Sequence, residues 1–261
     1  MQIAEHPWPE LIDAVESGST VLVPLGSTEG HGPHLPEGTD AIIAEGFARE
    51  AADRTDSLCT PTVSIGVSPH HRQFPGTTWV DPPAFRTYVE SLSRNLTYHG
   101  FDRIVYVNAH GGNVTHLREV GRRLRDEGTA FACEWMWDES IPELVDEAFE
   151  RNGPHAGPKE MSMVWYHRPD LVRPEQRTAA RDNGLVRLEE ADSYRFGSRV
   201  TYDAVESSPN GTFGDPTDAS PEAGEKLFEA AVEQLVGLVE WLGEQPFEDL
   251  LPPKPVRERP D

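Results

Sequence analysis

Arg103-Ile-Val-Tyr-Val-Asn108, followed at once by Ala-His110-Gly-Gly-Asn113, is the stretch on which the fold turns. Its unbroken apolar centre, without polar alternation, marks a strand covered on both faces, and such strands belong to parallel sheets flanked by helices. Gly111 and Gly112 let the chain turn sharply at the carboxyl end of the strand, and Asn113 can cap the helix that follows. His110 then sits at a strand end, where a parallel sheet places its functional groups.

The same pattern repeats to either side. Residues 19–25 (STVLVPL) form an apolar run ending in Gly26, and 39–54 carry Ile43, Phe47, Ala48 and Ala51 at helical spacing. Residues 61–67 read as a further strand, 83–98 as a helix with Phe85, Val89, Leu92 and Leu96 inward, 114–127 as a helix and 130–136 as a strand. Strands alternating with amphipathic helices predict an α/β fold, a three-layer αβα sandwich around a mainly parallel central sheet. Residues 173–221, rich in Gly, Pro, Asp and Ser, are expected to form loops and short strands around the site. A long amphipathic helix over 222–245 closes the fold, its stripe of Leu227, Ala231, Leu235, Leu238 and Leu242 facing the core. One domain is expected over residues 1–250, with a flexible tail over 251–261.

The charge balance is extreme: 45 Asp and Glu against 23 Lys and Arg give a formal net charge of -22, which argues against nucleic acid and anionic membranes as partners. Only Lys159, Lys226 and Lys254 are lysines; every other member of the basic set is arginine. Carboxylates spread along the whole chain repel one another in dilute buffer and are screened at molar salt, so the composition reads as adaptation to a halophilic cytoplasm. Cys59 and Cys133, the two cysteines, each lie in an apolar, strand-like run and suggest buried thiols rather than a disulfide or a metal site. Residues 1–9 hold no basic segment leading into an apolar stretch, and no window approaches the length of a membrane span, so a cytoplasmic protein is expected.

The densest chemistry follows the first strand: Gly26-Ser-Thr-Glu29-Gly-His31-Gly-Pro-His34-Leu-Pro-Glu-Gly-Thr-Asp40. Glu29 and His31, two residues apart, can point the same way from an extended segment, and Asp40 returns at the helix start to meet them. Carboxylates with imidazole are the ligand set of zinc, manganese or iron. A blander account exists, since His-Gly-Pro turns arise for backbone reasons and Asp40 can serve to charge a helix N-terminus. His110, on a second strand end in the same sheet, converges on the same crevice and favours the metal.

These segments, together with Phe74-Pro-Gly-Thr77 and His155-Ala-Gly-Pro-Lys-Glu160-Met-Ser162, resemble the creatininase family, in order and across most of the chain. The resemblance implies an αβα sandwich with a binuclear site for two divalent metal ions, zinc in the first place with manganese or iron as alternatives. It also implies hydrolysis of a carbon–nitrogen amide bond and a homo-oligomer, commonly a hexamer. Carried onto this chain, Glu29 and His110 would hold one metal, His31 the other, and Asp40 would bridge them. Creatinine-hydrolysing members carry a ligating Glu two residues after the strand-end His, where this chain has Gly112; Glu160 is the available replacement, although behind Pro158 it can also simply favour a helix N-terminus. Met161 stands where the family usually has Thr.

A small-molecule amide, cyclic or a formamide, is the expected substrate, attacked by metal-activated water, with His155 as the acid that protonates the departing nitrogen. The resemblance also covers relatives that deformylate a formylaminopyrimidine ribotide, and peptide-trimming relatives of the mycofactocin type, to which the Gly-Gly-Asn variant, Ser208-Pro-Asn-Gly211 and Gly214-Asp-Pro216 are similar. His34, His70, His71 and Arg72 are near enough in sequence to reach the crevice, Arg72 being suited to an anionic group, although His70 and His71 would equally suit a polar loop at a subunit contact. Ser27 lacks a nucleophile elbow. Two non-enzymatic alternatives are a phosphate-binding module built on Gly26, Gly30, Gly111 and Gly112, and an inactive oligomeric scaffold; the first lacks any glycine-rich nucleotide motif.

Overall fold

The structure, a computed structural model, describes residues 1–184, 194–195, 198–199 and 201–253. Its main sheet contains β1 (Val21–Leu25), β2 (Leu58–Cys59), β3 (Arg103–Asn108) and β4 (Phe131–Met136), all parallel, in the order β2-β1-β3-β4. The pairing that sets the site is β1 with β3, in register from Val21 opposite Ile104 to Leu25 opposite Asn108. A two-residue ribbon pairs β5 (Tyr194–Arg195) antiparallel with β6 (Ser198–Arg199).

Because side chains alternate across a strand, an all-apolar strand feeds two cores. Val21, Val23 and Leu25 of β1, with Ile104 and Tyr106 of β3, join one core. Its helical wall is Phe85 and Val89 of the helix Pro82–Tyr98 and Leu117, Val120 and Leu124 of the helix Val114–Asp126. Leu22, Val105 and Val107 face the opposite layer, made by the helices Thr39–Thr55, Pro158–His167 and Pro221–Glu244. Phe47 is fully buried there, with the rings of Trp135, Trp137 and Phe228 at 5.4, 5.8 and 5.1 Å. This is the three-layer αβα sandwich that the sequence predicts.

Three local expectations need correction. The strand anticipated over 61–67 is instead β2 at Leu58–Cys59, after which pairing with β1 resumes only at Val63. Pro61 has no N–H to give the ladder, so the strand breaks there while Val63 N–H still donates to Pro24 O at 2.9 Å. The region 173–221, read as loops and short strands, also contains the helices Arg177–Asp182 and Ala204–Ser207. The second is set by a capping box between Asp203 and Glu206, a start signal hidden among turn-forming residues. Asn113 precedes its helix but does not cap it with its side chain. That side chain has another use, described below. Of the tail expected over 251–261, residues 254–261 lie outside the described residues, as do parts of 185–200.

The chain leaves β1 for β2 on one side, then crosses to β3 on the other, so β1 and β3 flank a topological switch point. Loops leaving two neighbouring strands in opposite directions open a crevice beyond their carboxyl ends. Among the described residues no helix is long and apolar enough to cross a membrane.

Candidate metal centre

Asn113 ties the crevice together. Its Oδ1 accepts from Val67 N–H at 3.0 Å, while its Nδ2 donates to Gly26 O at 3.0 Å and to Asn108 Oδ1 at 3.3 Å. Three strand-end segments are thereby joined through one buried amide, which satisfies backbone groups that the sheet leaves unpaired. Asn108 completes the turn, its Oδ1 accepting from His110 N–H and its Nδ2 donating to His110 O. Gly26 lets the start of the helix Thr39–Thr55 pack on the end of β1, since a Cβ there would overlap the Asp40–Ala41 backbone.

The loop after β1, the loop after β3 and this helix start bring Glu29, His31, Asp40 and His110 to one point, each with no more than 4% of its surface exposed. His31 Nε2 lies 3.1 Å from Asp40 Oδ1, and His110 Nδ1 lies 3.1 Å from Asp40 Oδ2 and 3.3 Å from Glu29 Oε2. Asp40 thus presents one oxygen to each imidazole. The other nitrogen of each ring is engaged by backbone: His31 Nδ1–H donates to Glu29 O at 2.9 Å and His110 Nε2–H to Val67 O at 3.0 Å. With those protons committed outward, the inward nitrogens offer lone pairs toward the carboxylates.

Lone pairs facing carboxylates at this range require positive charge between them. Glu29 Oε2 and Asp40 Oδ2 are buried without a hydrogen-bond partner among the described residues. The electrostatics say the same. Burial alone would raise the Glu29 pKa, yet His110, His155 and His71 hold it well below the usual carboxylate range. Burial would lower that of His31, yet Asp40 and the other acids push it up to about 10. Such a site must be filled by protons or by cations, and its donor set suits divalent metal.

Four triads have donor atoms within 4.8 Å of one another: Glu29–His31–Asp40, Glu29–His70–His110, Glu29–His71–His155 and His31–His155–Glu160. All five residues singled out as metal ligands, and His155, therefore fall in one cluster. His155 Nε2–H donates to Gly30 O at 2.8 Å, leaving Nδ1 3.6 Å from Glu29 Oε1; burial and the neighbouring His31 lower its pKa. Glu160 is buried at the first turn of its helix, its Oε2 accepting from Ala156 N–H at 2.5 Å, so it both pins that turn and faces the cluster. Ser27 is spent on a hydrogen bond to Ser68.

Two residues given no ligand role from sequence belong here. His71 is 3% exposed, with Nε2 3.9 Å from Glu29 Oε1, and the His70 ring stacks on His110 at 6.0 Å. The signal was position: Ser68-Pro-His-His follows the run that pairs with the end of β1, a third strand end in the same sheet. His34 is buried with its pKa lowered to about 4, by burial first and His31 second. Over the cluster opens a cavity of about 680 Å³ bordered by Glu29, His70, His71, His110, His155, by Phe213 beside His155 and, on its far wall, residues 201–204 and 207.

A parallel sheet that delivers imidazoles and carboxylates from adjacent strand ends to one buried point under an open cavity defines a metallohydrolase of the α/β class. Comparison with known proteins narrows the class. The family model described as creatininase, creatinine amidohydrolase, matches residues 4–239. The chain is 33% identical over 229 residues to the mycofactocin precursor peptide peptidase of Mycobacterium ulcerans (strain Agy99), covering 84% of each chain. It is 26% identical over 258 residues to the creatinine amidohydrolase of Pseudomonas putida, covering 91% of this chain and 95% of that one. A crystal structure of creatinine amidohydrolase (creatininase) matches the fold with a TM-score of 0.79 at 22% identity, over 94% of this chain and 98% of that one. The chain belongs to the creatininase family of amidohydrolases, metal-dependent enzymes acting on carbon–nitrogen bonds.

Proposed function

We propose that this amidohydrolase cleaves an amide bond in a short peptide. The observation that carries the choice is the similarity to a peptide peptidase over most of the chain, and the open cavity of about 680 Å³ over the cluster has room for such a substrate. Gly112, in place of the Glu that the resemblance to creatinine-hydrolysing members would require, supports the same choice.

In this reading Glu29 and His110 would hold one divalent ion and His31 and Glu160 the other, with Asp40, whose oxygens face the His31 and His110 rings, available to both. Zinc is the first candidate, with manganese or iron as alternatives. When bound, the ions supply Lewis acidity toward a carbonyl oxygen and a water acidified toward neutral pH. The protein orients the ligands through the Glu29 and Val67 carbonyls. His155 Nδ1, left without a proton because Nε2–H is held by Gly30 O, would take the proton released by the attacking water and pass it to the departing nitrogen. The acidic chain functions as a homo-oligomer, a hexamer by resemblance, in a salt-rich cytoplasm, and residues 1–250 fold as one unit.

The test is metal content in molar salt for the wild type, Asp40→Ala and Glu160→Ala, followed by hydrolysis of short peptides. Two metals per wild-type chain, reduced in both variants, and release of a new amino terminus are expected. A wild type that cannot be loaded sinks the metal assignment. A loaded enzyme that cleaves creatinine or a formamide but no peptide sinks the substrate.

A further inference from the structure

Among the described residues lining the cavity, Arg72 is the one Lys or Arg side chain. It stands immediately after His71, which faces Glu29 in the cluster. Its single hydrogen bond among the described residues runs across to the far wall, from Nη2–H to Asp203 Oδ2 at 2.6 Å. That oxygen is already shared, because Gln73 Nε2 donates to it and the Asp203 side chain also caps the helix Ala204–Ser207. A guanidinium carries five N–H donors in a planar fork, and here the side chain is 54% exposed, so most of the fork is available to a ligand. Such a fork matches the two oxygens of a carboxylate or a phosphate. Pro69, Tyr202 and Phe213 line the same cavity and offer apolar surface to the part of a ligand between an oxyanion at Arg72 and an amide at the cluster.

We infer that Arg72 selects the substrate: it binds an oxyanion, carboxylate or phosphate, carried by the amide, and Asp203 holds the guanidinium in position until that oxyanion arrives. The inference rests on the amidohydrolase reading of the cluster and adds the charge class of its substrate. On a chain of net charge -22, this arginine supplies the local positive charge that an anionic substrate needs at the cavity.

The test is calorimetric titration of the metal-loaded wild type, Arg72→Gln and the surface control Arg122→Gln with three acetamides. They are N-acetylglycine, which carries a carboxylate, N-acetyl-O-phosphoethanolamine, which carries a phosphate, and the neutral N-acetylglycinamide. Wild type and control should bind an oxyanionic probe about 10-fold or more tightly than the neutral one, the range for a charge-assisted pair. The tighter of the two oxyanions names the source. In Arg72→Gln the preference should fall to within about two-fold, the neutral probe binding as before. Equal binding of all three probes by the wild type, binding of none, or a preference that survives in Arg72→Gln overturns the inference. A ratio of affinities is insensitive to a loss of folded protein. Failure to hydrolyse any amide would instead sink the proposed function and leave the ratio standing.

Discussion

Gly112 occupies a space that a side chain cannot share. A Cβ there would overlap both the Val67 carbonyl oxygen and the His110 imidazole, the donor–acceptor pair that aims His110 at the cluster. Gly112→Glu, which restores the residue that creatinine-hydrolysing members carry, is therefore expected to weaken metal binding about 10-fold or more, the cost of losing an orienting partner, rather than to create a creatininase. Metal titration with activity toward creatinine checks this, and a variant that keeps full affinity would show the loop yielding instead. His167 gives a second single-residue prediction, remote from the metal. Burial against Gly46 and Phe228 lowers its pKa to about 4 from the ordinary 6.5. Below pH 6.5 the unfolded chain takes up a proton that the folded one refuses, so stability falls until the pH reaches about 4. Across that window the wild type should lose on the order of 3 kcal/mol more than His167→Leu in denaturant unfolding, metal release being common to both. At this scale the sequence was informative where residue type and strand position coincide, as for Glu29, His31, Asp40 and His110. It was silent on which ring nitrogen faces inward, because that is set by the carbonyls of Glu29 and Val67, groups every residue possesses.

Elements were legible in proportion to their apolar period. β3 and the helix after it came through almost to the residue, since an unbroken apolar strand and a 3.6-residue stripe leave little choice. The element around Pro61 did not, because β-branched residues continue to Val67 while the missing N–H ends regular pairing at Cys59. The role of Asn113 was misread for a different reason. A polar residue before a helix is a cap by local rules, and only the tertiary structure brings Gly26 O and Val67 N–H within its reach. Asn113→Ala leaves both groups buried without that partner, and a cost of about 2–4 kcal/mol is expected from one to three per group after partial relaxation. The melting temperature should fall, and metal affinity with it, because the same amide spaces the loops that carry Glu29 and His110. A variant that melts early but binds metal normally would separate the staple from the site.

Over the whole molecule, charge and architecture act separately. Arginines on the helices pair with acids one turn away, as in Arg54 with Glu50, Arg94 with Glu90 and Arg122 with Asp126, yet a large excess of carboxylate remains. Raising ionic strength from about 0.1 M to 1 M shortens the screening length from about 10 Å to about 3 Å, so the melting temperature is expected to climb steeply with potassium chloride and then level off. A flat or falling curve would remove the case for salt adaptation. The construction of the centre has a wider consequence. Consecutive carbonyls of one loop, those of Glu29 and Gly30, aim two different imidazoles, while the Glu29 carboxylate faces His110, His155 and His71. That segment behaves as a jig: a change that shifts one component re-aims the others. Residues 201–204 and 207, which border the same cavity, hold none of these imidazoles, so shape and charge can change there while the reaction centre keeps its aim.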